Sequence, residues 1–75
     1  MPQSFEEKYP LASEWVKDFG WIEIGHDDFS QSFVRVLDIG GMIWEGDESY
    51  ESMDAMFNAL EAAIGAWKDQ NYSAR

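Results

Sequence analysis

The stretch VLDIGGMIWE, residues 36–45, has the form of two short strands joined by a tight turn. Gly40 and Gly41 can adopt the positive φ angles that such a turn requires, whether the loop has two residues or the four of 38–41. Apolar residues stand at both parities along the two arms, so both faces of the strand pair carry apolar side chains. The stretch therefore predicts a β-hairpin and raises the question of what covers its second face.

One more strand precedes this hairpin. Residues 21–25 alternate as a strand does, with Ile22 and Ile24 on one side and Trp21 and Glu23 on the other, before the turn-forming stretch 26–28. The arms of the hairpin are predicted at residues 33–37 and 42–45. Consecutive strands with short connections pair antiparallel. The sequence therefore predicts a three-stranded antiparallel sheet.

A helix is predicted on either side of these strands. The first begins at Pro10 and ends at Gly20, a typical C-terminal cap, and the second begins after the N-cap Ser52 and runs to about Asp69. The apolar residues of the first helix are Leu11, Trp15, Val16 and Phe19. Those of the second are Tyr50, Met53, Phe57, Leu60, Ile64 and Trp67.

This order of elements predicts the fold class and the domain organisation. A helix, three antiparallel strands and a helix form an α+β, two-layer sandwich with both helices on one face of the sheet. Residues 10–70 are predicted to form a single domain, and residues 71–75 a frayed tail. Residues 1–9 are predicted to be a loosely ordered lead-in, with one helical turn started by the capping box from Ser4 to Glu7.

The alternation of side chains predicts which face of the hairpin the helices cover. An even-length turn leaves the register parity unchanged, and one face then carries Val34, Val36 and Ile43. A mid-strand guanidinium is costly to bury without a partner, so we expect Arg35 to point outward. The face with Val34, Val36 and Ile43, joined by Ile22 and Ile24, is then expected to lie beneath the helices. The alternative is that Arg35 is buried against a carboxylate such as that of Glu23.

The outward face then forms an exposed apolar patch, which on a small domain indicates an interface. Aromatic residues, Met and Arg are enriched in protein interfaces and at their hot spots. The alternative is that Phe5 and Tyr9 of the lead-in cover the patch within the monomer. The residues predicted to bind a partner protein, or a second copy in a homodimer, are Trp21, Phe33, Arg35, Leu37, Met42 and Trp44.

The formal net charge of −10 restricts the class of partner. No Lys or Arg occurs between Arg35 and Lys68, a stretch rich in carboxylates, so the field of the protein repels polyanions and argues against nucleic acid. The N-terminus lacks the features of a signal peptide, and no apolar run is long enough to span a membrane. We therefore expect a cytoplasmic protein with a protein partner and no membrane association.

Candidate catalytic and metal-binding groups are few. The sequence has no cysteine and one histidine, and adjacent side chains on the turn His26-Asp27-Asp28 cannot all converge on one ion, although a metal-dependent enzyme is a minor alternative. The acidic run from Glu45 to Asp54 lacks the ligand spacing and central glycine of an EF-hand. We expect no cofactor and no enzymatic activity.

Several segments carry a family resemblance. WIEIG (21–25), SFVR (32–35) and GGMIWEG (40–46), followed by a capped helix that ends at Trp67, resemble a family of small acidic proteins from cyanobacteria. The resemblance covers most of the chain from Pro10 onward. It implies no particular activity.

Residues 33–66 also resemble HicB-type antitoxins in the order of hairpin, Gly-Asp step and amphipathic helix. HicB proteins usually have a Pro-containing turn where this chain has residues 38–41, and a DNA-binding extension that this sequence lacks. The resemblance therefore implies an inhibitor that covers a basic protein rather than a transcriptional repressor. The order of elements is also similar to that of the double-stranded-RNA-binding fold, but the basic helix start used on phosphates is missing.

The sequence thus favours a non-catalytic protein-interaction domain that self-associates or docks a partner through the exposed face of its sheet. The alternative is an antitoxin-like inhibitor that uses its acidic surface.

Overall fold

The computed structural model describes residues 4–26, 28 and 31–72, and over them the chain has an α+β fold. The described strands form one antiparallel sheet of three strands in the order β1-β2-β3, as the sequence predicts. The elements in chain order are α1 (Phe5–Lys8), α2 (Pro10–Glu14), a π-helical segment (Trp15–Phe19), β1 (Gly20–Ile24), β2 (Val34–Asp38), β3 (Gly41–Glu45) and α3 (Met53–Tyr72).

The predicted capping box at the start of α1 is confirmed. The backbone N–H of Glu7 donates to Ser4 Oγ, and the backbone N–H of Ser4 donates to Glu7 Oε1, each at 3.1 Å. Two backbone donors that would otherwise lack partners are thereby satisfied. The lead-in predicted over residues 1–9 is described only from Ser4 onward.

The first predicted helix, from Pro10 to Phe19, is helical throughout but changes its winding. The α-helical turn of α2 gives way at Trp15 to a π-helical turn, which the backbone N–H of Gly20 closes by donating to Trp15 O. The wider turn stacks the rings of Trp15 and Phe19 with centroids 5.1 Å apart. Trp15 is fully buried, whereas Val16 of the predicted apolar stripe is half exposed.

The N-cap predicted for α3 is also confirmed, because Ser52 Oγ accepts the backbone N–H of Ala55 at 3.0 Å. The helix continues to Tyr72, past the predicted end at Asp69. Its fully buried residues are Met56, Leu60 and Ile64. The predicted stripe omitted Met56 and included Met53, which is 50% exposed.

The pairing of β1 with β2 is regular. Each residue of β1 has one partner in β2, including Trp21 opposite Leu37 and Glu23 opposite Arg35. Directly opposite residues of an antiparallel pair point to the same face of the sheet. The alternation expected from the sequence therefore holds along this ladder.

The pairing of β2 with β3 contains a β-bulge. Asp38 pairs with Gly41 around a two-residue loop, and Gly41 has φ +125°, a value that favours glycine. Leu37 then pairs with Met42, but Val36 pairs with Trp44, so Ile43 is the extra residue. The predicted alternation of faces along β3 is therefore wrong beyond Met42, because the extra residue moves Trp44 to the face opposite the predicted one.

The hydrophobic core joins the N-terminal helical segments, the central strand and α3. We call the side of the sheet on which Val34 and Val36 lie the inner face, and the opposite side the outer face. Both valines are fully buried in the same cluster as residues from the helices. The buried apolar residues are Tyr9, Ala12, Trp15, Val34, Val36, Met56, Leu60 and Ile64.

Candidate docking surface on the sheet

Three apolar side chains lie in a row across the outer face, and we call them the outer row: Trp21, Leu37 and Met42. They come from β1, β2 and β3, and the strand register places them directly opposite one another. Trp21 is 47% and Met42 52% exposed, and Leu37 is half-buried. The outer row is thus an apolar strip that is open to solvent at both edges of the described sheet.

The predicted partner residue Trp44 lies on the other side of the sheet. Because of the bulge at Ile43, Trp44 shares the inner face with its partner Val36 and packs against the core. The close approach at Gly46 agrees with this position, since a Cβ there would lie 2.7 Å from Val34 Cγ1 and 2.9 Å from Trp44 Cη2. One extra residue in β3 therefore moves the largest predicted anchor from the outer face to the inner face.

Arg35 lies on the outer face, where it was expected, but it is only 6% exposed. Its Nε donates to Glu23 Oε1 at 3.1 Å, Nη1 to Ser32 O at 2.7 Å, and Nη2 to Gly25 O at 2.8 Å. These partners satisfy the guanidinium, which is why the sheet tolerates its burial. Arg35 thus hydrogen-bonds to both ends of the β1–β2 connection, at Gly25 and Ser32, and its guanidinium is not exposed for contact with a partner.

Glu23 and Glu45 flank Arg35 on the outer face, because the register places them opposite it on β1 and β3. Glu23 accepts from Arg35 through Oε1 and from the indole N–H of Trp21 through Oε2 at 3.2 Å. Glu45 is exposed, and among the described residues no lysine or arginine lies within ion-pair distance of it. Next to the outer row there are therefore two carboxylates, that of Glu23, which accepts hydrogen bonds from Arg35 and Trp21, and that of Glu45, which has no ion pair among the described residues.

Phe33 is half-buried and packs against the core, so little of its ring is open to a partner. Its ring meets the imidazole of His26 edge-on, with centroids 5.5 Å apart. His26 Nε2 lies 2.9 Å from the carbonyl oxygen of Glu48, which links the turn after β1 to the segment after β3. Asp27, which was considered with His26 and Asp28 as a metal ligand, lies outside the described residues.

Phe5 and Tyr9, the residues expected to cover the patch in the alternative hypothesis, contact α3. The ring of Phe57 lies 5.2 Å from that of Phe5 and 5.0 Å from that of Tyr9, measured between centroids. Tyr9 is part of the core cluster. These contacts hold the two side chains against α3, and the outer row keeps its exposure.

The described cations are all engaged by carboxylates. Asp38, Glu45, Asp47, Glu48 and Glu51 have no such ion pair within the described part of the chain. These five carboxylates give the stretch from the hairpin tip to the start of α3 an excess of negative charge, since it contains no lysine or arginine. The ion pairs are Lys8 with Asp54, Lys17 with Glu6, Arg35 with Glu23 and Lys68 with Glu14.

Asp54 ties the N-terminal residues to the first turn of α3. The hydroxyl of Tyr9 donates to Asp54 Oδ1 at 2.5 Å, and Lys8 Nζ donates to the same oxygen at 3.0 Å. The hydrogen bond from Tyr9, followed by that from Lys8 and its charge, lowers the pKa of Asp54. The bond to Asp54 raises the pKa of Tyr9 and that of Lys8.

Two further side chains of α3 hold the helical segments before β1. Glu61 accepts the backbone N–H groups of Leu11 and Ala12, which are orphan donors at the start of α2, and Lys68 donates to Glu14. None of these contacts was predicted from the sequence. Asp54, Glu61 and Lys68 are spaced by seven residues, so they share one side of α3, and this spacing is the signal that could have found them.

Within residues 4–26, 28 and 31–72, no group of three or more His, Asp or Glu side chains is arranged to hold a metal ion. A cleft of 460 Å³ is lined by His26, Gln31, Glu48 and Ser49. No helix in the described part of the chain is long and apolar enough to cross a membrane.

Comparisons with protein-family models, with curated proteins and with solved structures find no match for this chain. The candidate docking surface therefore rests on the geometry of the chain itself.

Proposed function

We propose that this chain is a non-catalytic protein-interaction domain that docks a partner through the outer face of its sheet. The observation that carries the proposal is the outer row, in which Trp21, Leu37 and Met42 are laterally adjacent and both edge residues are about half exposed. A contiguous apolar strip on a small, strongly charged domain is costly to leave in water and is typical of an interface.

The proposal requires that the helices cover only the inner face, as in a two-layer sandwich. We infer this arrangement from the central strand, because Val34 and Val36 are fully buried among residues of the N-terminal helical segments and α3. Polar contacts between α3 and the N-terminal segment, such as that of Tyr9 with Asp54, support packing of the helical elements side by side. The outer face is then the second, uncovered side of the sheet.

The composition of the docking surface differs from the set predicted from sequence. Trp21, Leu37 and Met42 form the accessible anchors, whereas Trp44 packs on the inner face and Arg35 has its donors occupied. Aromatic residues and Met contribute disproportionately to binding energy because they bury a large apolar area. We therefore expect the energetic centre of the interface between Trp21 and Met42.

Affinity capture with a matched pair of variants tests the proposal. Met42→Glu places a charge in the outer row, whereas Ile39→Glu makes a chemically similar change at a fully exposed residue of the hairpin loop, outside the row. We expect one defined partner, quantified by mass spectrometry, to be retained by the wild type and by Ile39→Glu and lost with Met42→Glu. Equal retention by both variants contradicts the proposal, provided that circular dichroism shows both to be folded.

Self-association through the same surface is the other form of this proposal, and it is tested separately. Sedimentation equilibrium over a wide concentration range distinguishes a second copy from a different partner. If the wild type dimerises and Met42→Glu does not, the outer face serves as a homodimer interface. A dimer that persists in Met42→Glu places self-association elsewhere and counts against the outer row as an interface between copies.

A further inference from the structure

The outer row has a chemical asymmetry that specifies the kind of partner. Its neighbours on the outer face are Glu23, Arg35 and Glu45, which the strand register places side by side across the sheet. Arg35 directs its hydrogen bonds to Glu23 and to the backbone of Gly25 and Ser32, all on the side of β1 and its following connection. Glu45, on the opposite strand, receives none of them among the described contacts.

This arrangement differs from an ordinary cross-strand ion pair. Arg35 and Glu45 are directly opposite residues, a position in which opposite charges usually attract and pair. The guanidinium is instead buried, and each of its three nitrogens already donates to another group, while Glu45 is exposed. A cationic group of a partner can therefore approach Glu45 without first displacing an internal ion pair.

The acidic character continues along the same edge. Asp47 follows on the chain, and its carbonyl oxygen accepts the backbone N–H of Phe33, so the extended backbone of β3 continues beside β2 past Glu45. Asp47, like Glu45, has no cation partner in the described part of the chain. The outer face thus has the apolar row at its hairpin end and the exposed Glu45 on its β3 edge, with Asp47 two residues further along the chain.

A second copy of the chain is a poor occupant of this surface. Each copy has a formal net charge of −10, and the carboxylates beside the row would face like charges in many relative orientations. A partner with lysine or arginine beside its own apolar residues complements both features at once. Charge complementarity of this kind sets partner choice and accelerates encounter.

We propose that the outer face binds a basic polypeptide segment, with apolar side chains on Trp21, Leu37 and Met42 and a lysine or arginine paired with Glu45. This inference rests on the proposed function, since it names the chemical class of partner for the same surface. Glu45, rather than Arg35, is the residue that determines polar specificity.

Titration with three short peptides tests the chemical class of the partner. The probes are acetylated and amidated Lys-Leu-Lys-Leu-Lys, its acidic counterpart Glu-Leu-Glu-Leu-Glu, and Lys-Ser-Lys-Ser-Lys, which has the charge without the apolar side chains. Binding is followed by NMR through the indole N–H of Trp21 and the methyl group of Met42. We expect the basic apolar peptide to give the largest saturating shifts, confined mainly to the outer face.

Two matched variants identify the carboxylate involved. Glu45→Gln should weaken binding of Lys-Leu-Lys-Leu-Lys about threefold, the size expected for one exposed ion pair. Glu51→Gln makes the same chemical change in the segment before α3, outside the described strands, and should leave the affinity nearly unchanged. Met42→Ser should weaken binding about fivefold through lost apolar contact.

The outcomes separate the inference from the proposed function. Stronger or equal binding of the acidic peptide, or equal losses in Glu45→Gln and Glu51→Gln, overturns the inferred class or contact but leaves the outer face as a docking surface. Concentration-dependent shifts of Trp21 without any peptide assign the face to a second copy and also overturn the inference. If none of the peptides shifts the outer face and no self-association occurs, both the inference and the proposed surface are contradicted.

Discussion

The two strand ladders of the sheet follow different rules although they share β2. Between β1 and β2 the pairs run without interruption, and Glu23 and Arg35 meet on the outer face as simple alternation requires. Between β2 and β3 the extra residue Ile43 interrupts the pairing, and Trp44 faces the core. A single unpaired residue in β3 thus decides that Trp44 packs against the core, whereas Trp21 on the regular ladder is half exposed.

Deleting one isoleucine from each ladder should give the largest difference. Without Ile43, Met42 and Trp44 become neighbours and keep their partners Leu37 and Val36, so we expect the fold to survive with a loss of about 1–2 kcal/mol from removed packing. Without Ile22, the residues before it in the regular β1 ladder turn to the wrong face, and the loss should be about 3 kcal/mol or more. Urea denaturation measures the free energy of unfolding of both deletion variants. Equal losses would show that the two ladders tolerate a deletion equally well.

Removing the guanidinium of Arg35 should have the next largest effect. Arg35→Met leaves the carbonyl oxygens of Gly25 and Ser32 without its hydrogen bonds, and we expect a loss of about 2–3 kcal/mol. Glu23 is partly exposed and can be rehydrated, which keeps the loss below that of a fully buried pair.

Arg35→Lys is the matched control that separates the charge of Arg35 from the several N–H donors of its guanidinium. It keeps the positive charge but cannot reach all the partners, so its unfolding midpoint in urea should fall between those of the wild type and Arg35→Met. A midpoint equal to that of the wild type would indicate that the charge alone holds the β1–β2 connection.

The tryptophans of the two edge strands should respond differently to the same substitution. Trp44→Ser removes inner-face packing and should lower the free energy of unfolding by about 2 kcal/mol, whereas Trp21→Ser should lower it by less than about 1 kcal/mol. Both are measured by thermal and urea denaturation. A greater loss of unfolding free energy in Trp21→Ser than in Trp44→Ser would indicate that the core lies on the face of Trp21.

The smallest effect is expected away from both ladders, at Asp54. Its pKa is lowered in the folded state, so the stabilisation is present above the unfolded pKa, near the ordinary 3.8, and is lost as the pH falls through the lower folded value. Asp54→Asn should therefore flatten the acid limb of a stability–pH curve. Asp69→Asn is the charge-matched control, and an equally flattened limb there would remove Asp54 as the cause.

Local sequence signals predicted much of this architecture. The capping box at Ser4, the N-cap at Ser52 and the strands around the glycine turn depend on neighbouring residues, and the structure confirms them. The bulge at Ile43 depends on how the third strand packs against the core, and the alternation pattern of β3 alone does not encode it.

The candidate site was harder to predict because its residues depend on the bulge and on long-range contacts. The prediction for Arg35 weighed the cost of burying a guanidinium but could not supply the partners Ser32 and Gly25. Trp21, Leu37 and Met42 lie on the expected face because each precedes the bulge or belongs to the regular ladder. The positions that depend on local strand pairing could therefore be predicted from the sequence, whereas those that depend on tertiary contacts could not.

Photo-CIDNP NMR, in which a flavin dye polarises only accessible aromatic side chains, tests the division of the tryptophans between the two faces most directly. We expect a strong indole signal from Trp21, a much weaker one from Trp44 and none from Trp15. Binding of the basic apolar peptide should suppress the signal of Trp21 alone. A Trp44 signal as strong as that of Trp21, or suppression of the Trp44 signal by the peptide, would show that Trp44 does not face the core.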